Sequence, residues 1–174
     1  AVVLFNLGGP SSLEAVEPFL FNLFNDAAII RVPQPLRWLI ARLISKRRAP
    51  IARAIYAKMG GSSPILGQTY NQASELRSAL TGDGTIYETF VAMRYTAPRA
   101  SDVAEQVRRF RPNKIVLLPL YPQFSTTTTR SSVREWLSYA RDKDLSAPVS
   151  TVCCYPKDRG FIAAQAALIA ETIA

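Results

Sequence analysis

Histidine, the side chain most often used to move protons near neutral pH, does not occur among the 174 residues. Its absence excludes a Ser-His-Asp triad and a Cys-His pair, and leaves little prospect of an ordinary zinc site. The two cysteines, Cys153 and Cys154, are adjacent, a spacing that disfavours an ordinary structural disulfide between them. They are expected as buried strand residues, since no neighbouring motif would lower a thiol pKa. The loop Asn6-Leu7-Gly8-Gly9-Pro10 follows an apolar run, but adjacent glycines and Pro10 do not make GxGxxG. Gly60-Gly61-Ser62-Ser63 lacks the lysine of a phosphate-binding loop. The hydroxyl run Ser125 to Thr129, continued by Arg130, Ser131 and Ser132, offers either helix caps or donors to an anion at a helix N-terminus. No self-sufficient catalytic constellation emerges.

These residues are placed by an alternating pattern. Ala1 to Leu7 reads as a buried strand, and Ser11 and Ser12 lead into a helix from about Leu13 to Phe24. Leu36, Leu39, Ile40, Leu43 and Ile44 recur at helical spacing. A second helix is expected from Pro50 to Met59, ended by Gly60 and Gly61, and another from Thr69 to Leu80 before a Thr81–Gly84 turn. Strands at Tyr87–Met93, Lys114–Leu118 and Val149–Cys154 then alternate with helices at Ser101–Phe110, Ser131–Arg141 and from Phe161 onward. Such alternation predicts an α/β fold, a doubly wound and mostly parallel sheet with helices on both faces. Ligands of such sheets sit beyond the carboxyl ends of the strands. There the loops Gly8–Ser12, Arg94–Pro98 and Tyr121–Ser132 should converge.

The length suits one α/β domain spanning residues 1–174. With 48% hydrophobic and 20% charged residues, the composition gives no case for disorder. No apolar run approaches the roughly 20 residues of a membrane span, and no signal-peptide pattern is present. A reducing, cytoplasmic setting is expected. Ala1 opens directly in a strand-like run and the pattern from Phe161 stops inside a helix at Ala174, so the chain is expected to be a piece of a longer one. The net charge of +8 is concentrated: from Arg31 to Lys58 there are eight basic residues (Arg31, Arg37, Arg42, Lys46, Arg47, Arg48, Arg53, Lys58) and no acid. An anionic partner follows, whether nucleic acid, phospholipid or a carboxylate-bearing small molecule. No nucleic-acid-binding motif accompanies the run, whereas Trp38 and the Leu/Ile stripe suit a lipid surface better.

The motifs FNLGGP (Phe5–Pro10), RRAP (Arg47–Pro50), IYAKMGGSSPI (Ile55–Ile65), AMRY (Ala92–Tyr95) and LLPLYPQFSTTTT (Leu117–Thr129), in this order and over nearly the whole chain, resemble bacterial ferrochelatase. The resemblance implies the N-terminal of two similar lobes around a porphyrin cleft. The whole enzyme inserts ferrous iron into protoporphyrin IX to make protohaem in haem biosynthesis. Its metal-handling His and Glu are expected in the second half, so this chain carries no catalytic or metal residue, requires no cofactor, and is expected to be inactive alone. By position the resemblance implies that Leu7, Arg48, Tyr56 and Ser63 bind porphyrin. It also implies a [2Fe-2S] cluster in some members. The position matching one known cluster ligand is Thr126, so Cys153 or Cys154 would have to serve instead, with cysteines from the second half. Ser62, Ala97 and Arg130 depart from the family pattern. The alternatives are a non-catalytic tetrapyrrole-binding domain and a chelatase for another metal such as cobalt. Peripheral contact with anionic membrane through Leu36–Arg48 is a further expectation.

Overall fold

The computed structural model describes residues 1–82 and 84–173; Asp83, in the expected Thr81–Gly84 turn, and Ala174 lie outside the described residues. The order of elements is β1 (Val2–Asn6), α1 (Val16–Phe24), α2 (Gln34–Lys58), α3 (Ile65–Ala79), β2 (Thr89–Met93), α4 (Ala100–Phe110), β3 (Ile115–Pro119), α5 (Thr129–Asp142), β4 (Val149–Thr151) and α6 (Arg159–Ile173). The strands form one parallel sheet in the order β2-β1-β3-β4, the α/β architecture expected from the alternation. Because the chain steps from β1 to one neighbour and later to the other, the order reverses at β1. The loops beyond Asn6 and Pro119 therefore diverge and leave a crevice at that end.

Period-two side-chain alternation builds the core on both faces of β1. Val3 and Phe5 point to one side with Val103, Val107, Trp136 and Ala140 of α4 and α5. Val2 and Leu4 point to the other, against Ala73 of α3 with Leu66 and Leu76 around it. A third cluster lies outside the sheet, where Val16, Phe19 and Leu20 of α1 pack on Ala49 of α2 together with Tyr95.

Helix α2 replaces the two helices expected on either side of Pro50. It does not break at Pro50 but runs unbroken for 25 residues. Pro50 has no N–H to give the Lys46 carbonyl, and both residues are exposed, where water can serve that carbonyl. Ala49 is buried and Ala52 and Tyr56 beyond the proline join the same cluster, so packing on both sides of Pro50 holds the axis. The two faces of the helix divide by side-chain size. The face turned to the protein is the row of small residues Ala41, Ser45 and Ala49, which lets α1 approach closely. The Leu/Ile stripe turns outward, with Leu36, Leu39 and Leu43 half or more exposed.

The C-terminal elements also depart from expectation. Strand β4 is three residues long with none of them buried, an edge strand ending before Cys153. Both cysteines are exposed, not buried in a strand. No residue of α6 is buried; Tyr155, whose ring meets Phe161 edge-on at 5.5 Å, ties its start to the sheet by donating to the Pro119 carbonyl at 3.2 Å.

Candidate functional site

The three loops expected to meet do so, and glycine makes the approach possible. Gly8 has φ +83°, and a Cβ there would lie 2.3 Å from the Thr96 hydroxyl, while one on Gly9 would lie 2.5 Å from Ser63 Cβ. No larger residue fits either position without displacing its neighbour. Backbone bonds fasten the same seams: the Ser63 amide donates to the Pro10 carbonyl at 2.8 Å, and those of Arg94 and Tyr95 donate to Asn6 and Leu7. The Asn6 side chain donates to Thr69 Oγ1 at 3.0 Å, fixing the end of β1 to α3.

At the centre is a buried ionic cluster. Asp26, at the end of α1, accepts at Oδ2 from Arg94 at 2.7 Å, Tyr95 at 2.8 Å and Ser131 at 2.8 Å. Arg94 spreads its remaining donors over Ser131 Oγ at 2.9 Å and Glu135 Oε1 at 2.7 Å. Glu135 also receives Arg99 at 3.0 Å. Burial pushes the Asp26 carboxyl upward, but hydrogen bonds from the Ala28 amide and Ser131, the Arg94 charge and the Tyr95 hydroxyl outweigh it and hold it below its ordinary value. Tyr95 is raised by burial and then by its bond to Asp26, and Tyr121 is pushed up to about 12 by burial. Both phenols therefore remain protonated at neutral pH, and Tyr95 donates to Asp26.

Three of the four residues matched to porphyrin positions come together. Leu7 and Tyr56 pack half-buried on the α1–α2 cluster, and Ser63 is seated against Gly9 and Pro10. Arg48 stands exposed on α2 with its guanidinium 5.9 Å from the centre of the Phe24 ring, itself part of that cluster. Arg53 is differently employed: it donates to the Leu13 carbonyl at 3.1 Å and meets Glu17 at 3.6 Å. Cys153 and Cys154 lie apart from this group. Its hydrogen bond with Cys154 raises the Cys153 thiol pKa, which works against the thiolate a metal needs. The 174 residues hold two cysteines, fewer than the four thiolates of an ordinary [2Fe-2S] centre, so the residues present do not by themselves fit such a cluster.

Sequence alone places Arg94 in the AMRY motif and at the start of a converging loop but singles out neither Asp26 nor Glu135. The available signal was Asp26 itself, the last acid before the basic run, and the Arg94-Tyr95 pair directly after a strand.

Replacing Asp26 by Asn should cost roughly 3 kcal/mol, because it leaves Arg94 short of a buried counter-charge. The depressed carboxyl contributes stability that is complete above its unfolded value near 3.8 and lost as pH falls through the lower folded value. Urea denaturation across the acid range should accordingly show a fall in wild-type stability that is flatter in Asp26→Asn.

Comparison with known proteins agrees with this arrangement of motifs. The family profile described as Ferrochelatase matches residues 1–174. Proteins named Ferrochelatase from Pelagibacter ubique, Rickettsia bellii (strain OSU 85-389) and Phenylobacterium zucineum are 49%, 49% and 52% identical to it. Each alignment covers 99% of this chain but 51%, 48% and 50% of the relative. The chain spans about half the length of the curated relatives it matches. With the whole of the chain matched and the order of its motifs kept, it belongs to the ferrochelatase family.

Proposed function

We propose that this chain is the N-terminal, porphyrin-binding wall of an enzyme that inserts ferrous iron into protoporphyrin IX. The observation that carries the reading is that Leu7, after β1, and Tyr56, on α2, share one cluster with Arg48 at its edge, while Ser63 in the turn after α2 is seated against Gly9 and Pro10 of the β1 loop. Protoporphyrin is a flat apolar disc bearing two propionates, so its wall needs aliphatic and aromatic surface with a few guanidinium and hydroxyl donors. Leu7 and Tyr56 supply the first, Arg48 and Ser63 the second. Arg48 has no ion pair among the described residues, which leaves its fork for a propionate. Fluorescence titration of the full-length protein with protoporphyrin should show affinity falling about ten-fold in Arg48→Ala. Arg53→Ala should keep its affinity and lose stability instead, because Arg53 serves Leu13 and Glu17; equal affinities of the two variants would refute the assignment.

Insertion also requires a base that removes the pyrrole protons. Histidine is absent, and the two acids at the converging loops, Asp26 and Glu135, are already bound to Arg94. Residues 1–174 alone are therefore expected to show no iron insertion. An assay of this chain with and without the separately expressed remainder of the polypeptide checks this; turnover by residues 1–174 alone would place the base here after all. Any iron-sulfur centre in the full-length protein would draw at least half of its ligands from outside these residues.

The outward face of α2 supports peripheral contact with an anionic membrane, where an apolar porphyrin dissolves. Leu39 and Leu43 are 59% and 58% exposed beside Trp38, and Lys46, Arg47 and Arg48 follow within two turns. No described helix is long and apolar enough to cross a membrane. Vesicles containing phosphatidylserine should sediment the full-length protein better than neutral vesicles, less so in high salt and less so for Leu43→Ser. No preference for anionic lipid would leave the stripe without this role.

A further inference from the structure

A second cleft opens beside the ionic cluster, on the side of α5. It encloses about 640 Å³ between the α1–α2 connection and α5, and Arg31, Arg94, Thr126, Arg130, Arg134 and Ser138 contribute to its wall. Asp26 and Glu135 line it too, but both carboxylates are engaged. Asp26 is held by Arg94, and Glu135 by Arg94 and Arg99, so these four charges balance one another.

Three cations remain. Arg31, Arg130 and Arg134 have no carboxylate partner among the described residues. Arg130 only leans over the Phe124 ring at 5.6 Å. Arg130 and Arg134 are four residues apart on α5, where like charges repel, and they stand in its first turns, where the helix dipole is also positive. Uncompensated positive charge brought together from two elements around a cavity is relieved by a bound anion.

From this we infer that the cleft lined by Arg31, Arg130 and Arg134 is a site for a compact anion bearing linked phosphates, either free pyrophosphate or the phosphate chain of a nucleotide. Guanidinium forks match phosphate oxygens in bidentate fashion. One phosphate carries about −1.5 to −2 at neutral pH, so two linked phosphates come closer to balancing three cations than a single phosphate or carboxylate. Thr126 and Ser138 add hydroxyl donors at the wall. This site is distinct from the surface formed by Leu7, Tyr56 and Ser63 and does not rest on the porphyrin reading.

Calorimetric titration of the full-length protein with pyrophosphate tests it without any activity measurement. Wild type should bind at low ionic strength, Arg134→Ala should lose about ten-fold in affinity or more, and Arg134→Lys should lose less, since it keeps the charge without the fork. Lys157→Ala, which removes one charge from an exposed position away from the cleft, should change affinity less than about two-fold. If circular dichroism shows Arg134→Ala unfolded, Arg31→Ala in the connecting loop carries the same expectation. ATP competing with pyrophosphate assigns the phosphates to a nucleotide, and pyrophosphate binding without ATP competition assigns them to the free anion. No pyrophosphate binding, equal losses in Lys157→Ala and the cleft variants, or citrate bound as tightly as pyrophosphate would overturn the inference.

Discussion

The loop after β2, the start of α5 and the stretch after α1 are joined at one oxygen atom. Oδ2 of Asp26 accepts from Arg94, Tyr95 and Ser131 at 2.7–2.8 Å, and those donors come from the loop after β2 and the first turn of α5. A carboxylate so buried would be unfavourable without its partners. With them it ties the stretch after α1 to two other segments, the loop after β2 and the start of α5. Arg94 extends the connection to Glu135 and, through it, to Arg99 at the head of α4. The loops therefore take their positions from a satisfied charge network as well as from the sheet.

The α1–α2 pair follows a different rule, in which small residues decide which face is available. Ala41, Ser45 and Ala49 form the inner row of α2, and their size lets the bulk of Phe19 and Leu20 on α1 fill the space. The large apolar residues are left on the outer face. In most amphipathic helices the largest side chains mark the buried side; here that inference gives the wrong side, and the exposed stripe is available for other apolar surfaces. Glu17 of α1 steadies the pair by meeting both Arg42 and Arg53, which takes two of the eight cations out of the basic run.

The parallel sheet was legible because strands and helices alternate with clear punctuation from Leu80 onward, and the convergence of the three loops follows from that topology. Element ends were less legible. Pro50 looked like a helix boundary, yet burial of Ala49 before it and Tyr56 after it overrides the local preference. Cys153 and Cys154 looked like core because Val149 to Cys154 has strand composition, but the strand ends at Thr151 on the edge of the sheet and leaves both exposed. The motifs pointed to Leu7, Tyr56 and Ser63, and the seat of Ser63 against the β1 loop depends on Gly9 being bare. They did not point to Glu135, because its role arises from a contact 41 residues distant in sequence that no local pattern encodes.

The seams around Gly8 and Gly9 also bear on how this region opens. The amides of Ser63, Arg94 and Tyr95 each donate across a different junction, to Pro10, Asn6 and Leu7, and the two glycine approaches leave no slack for one junction to part while the others hold. Hydrogen exchange at these three amides should therefore proceed with a shared protection factor, as one cooperative unit. The β1 loop, the turn after α2 and the start of the β2 loop would then form a single foldon, although 52 residues separate Pro10 from Ser63 along the chain.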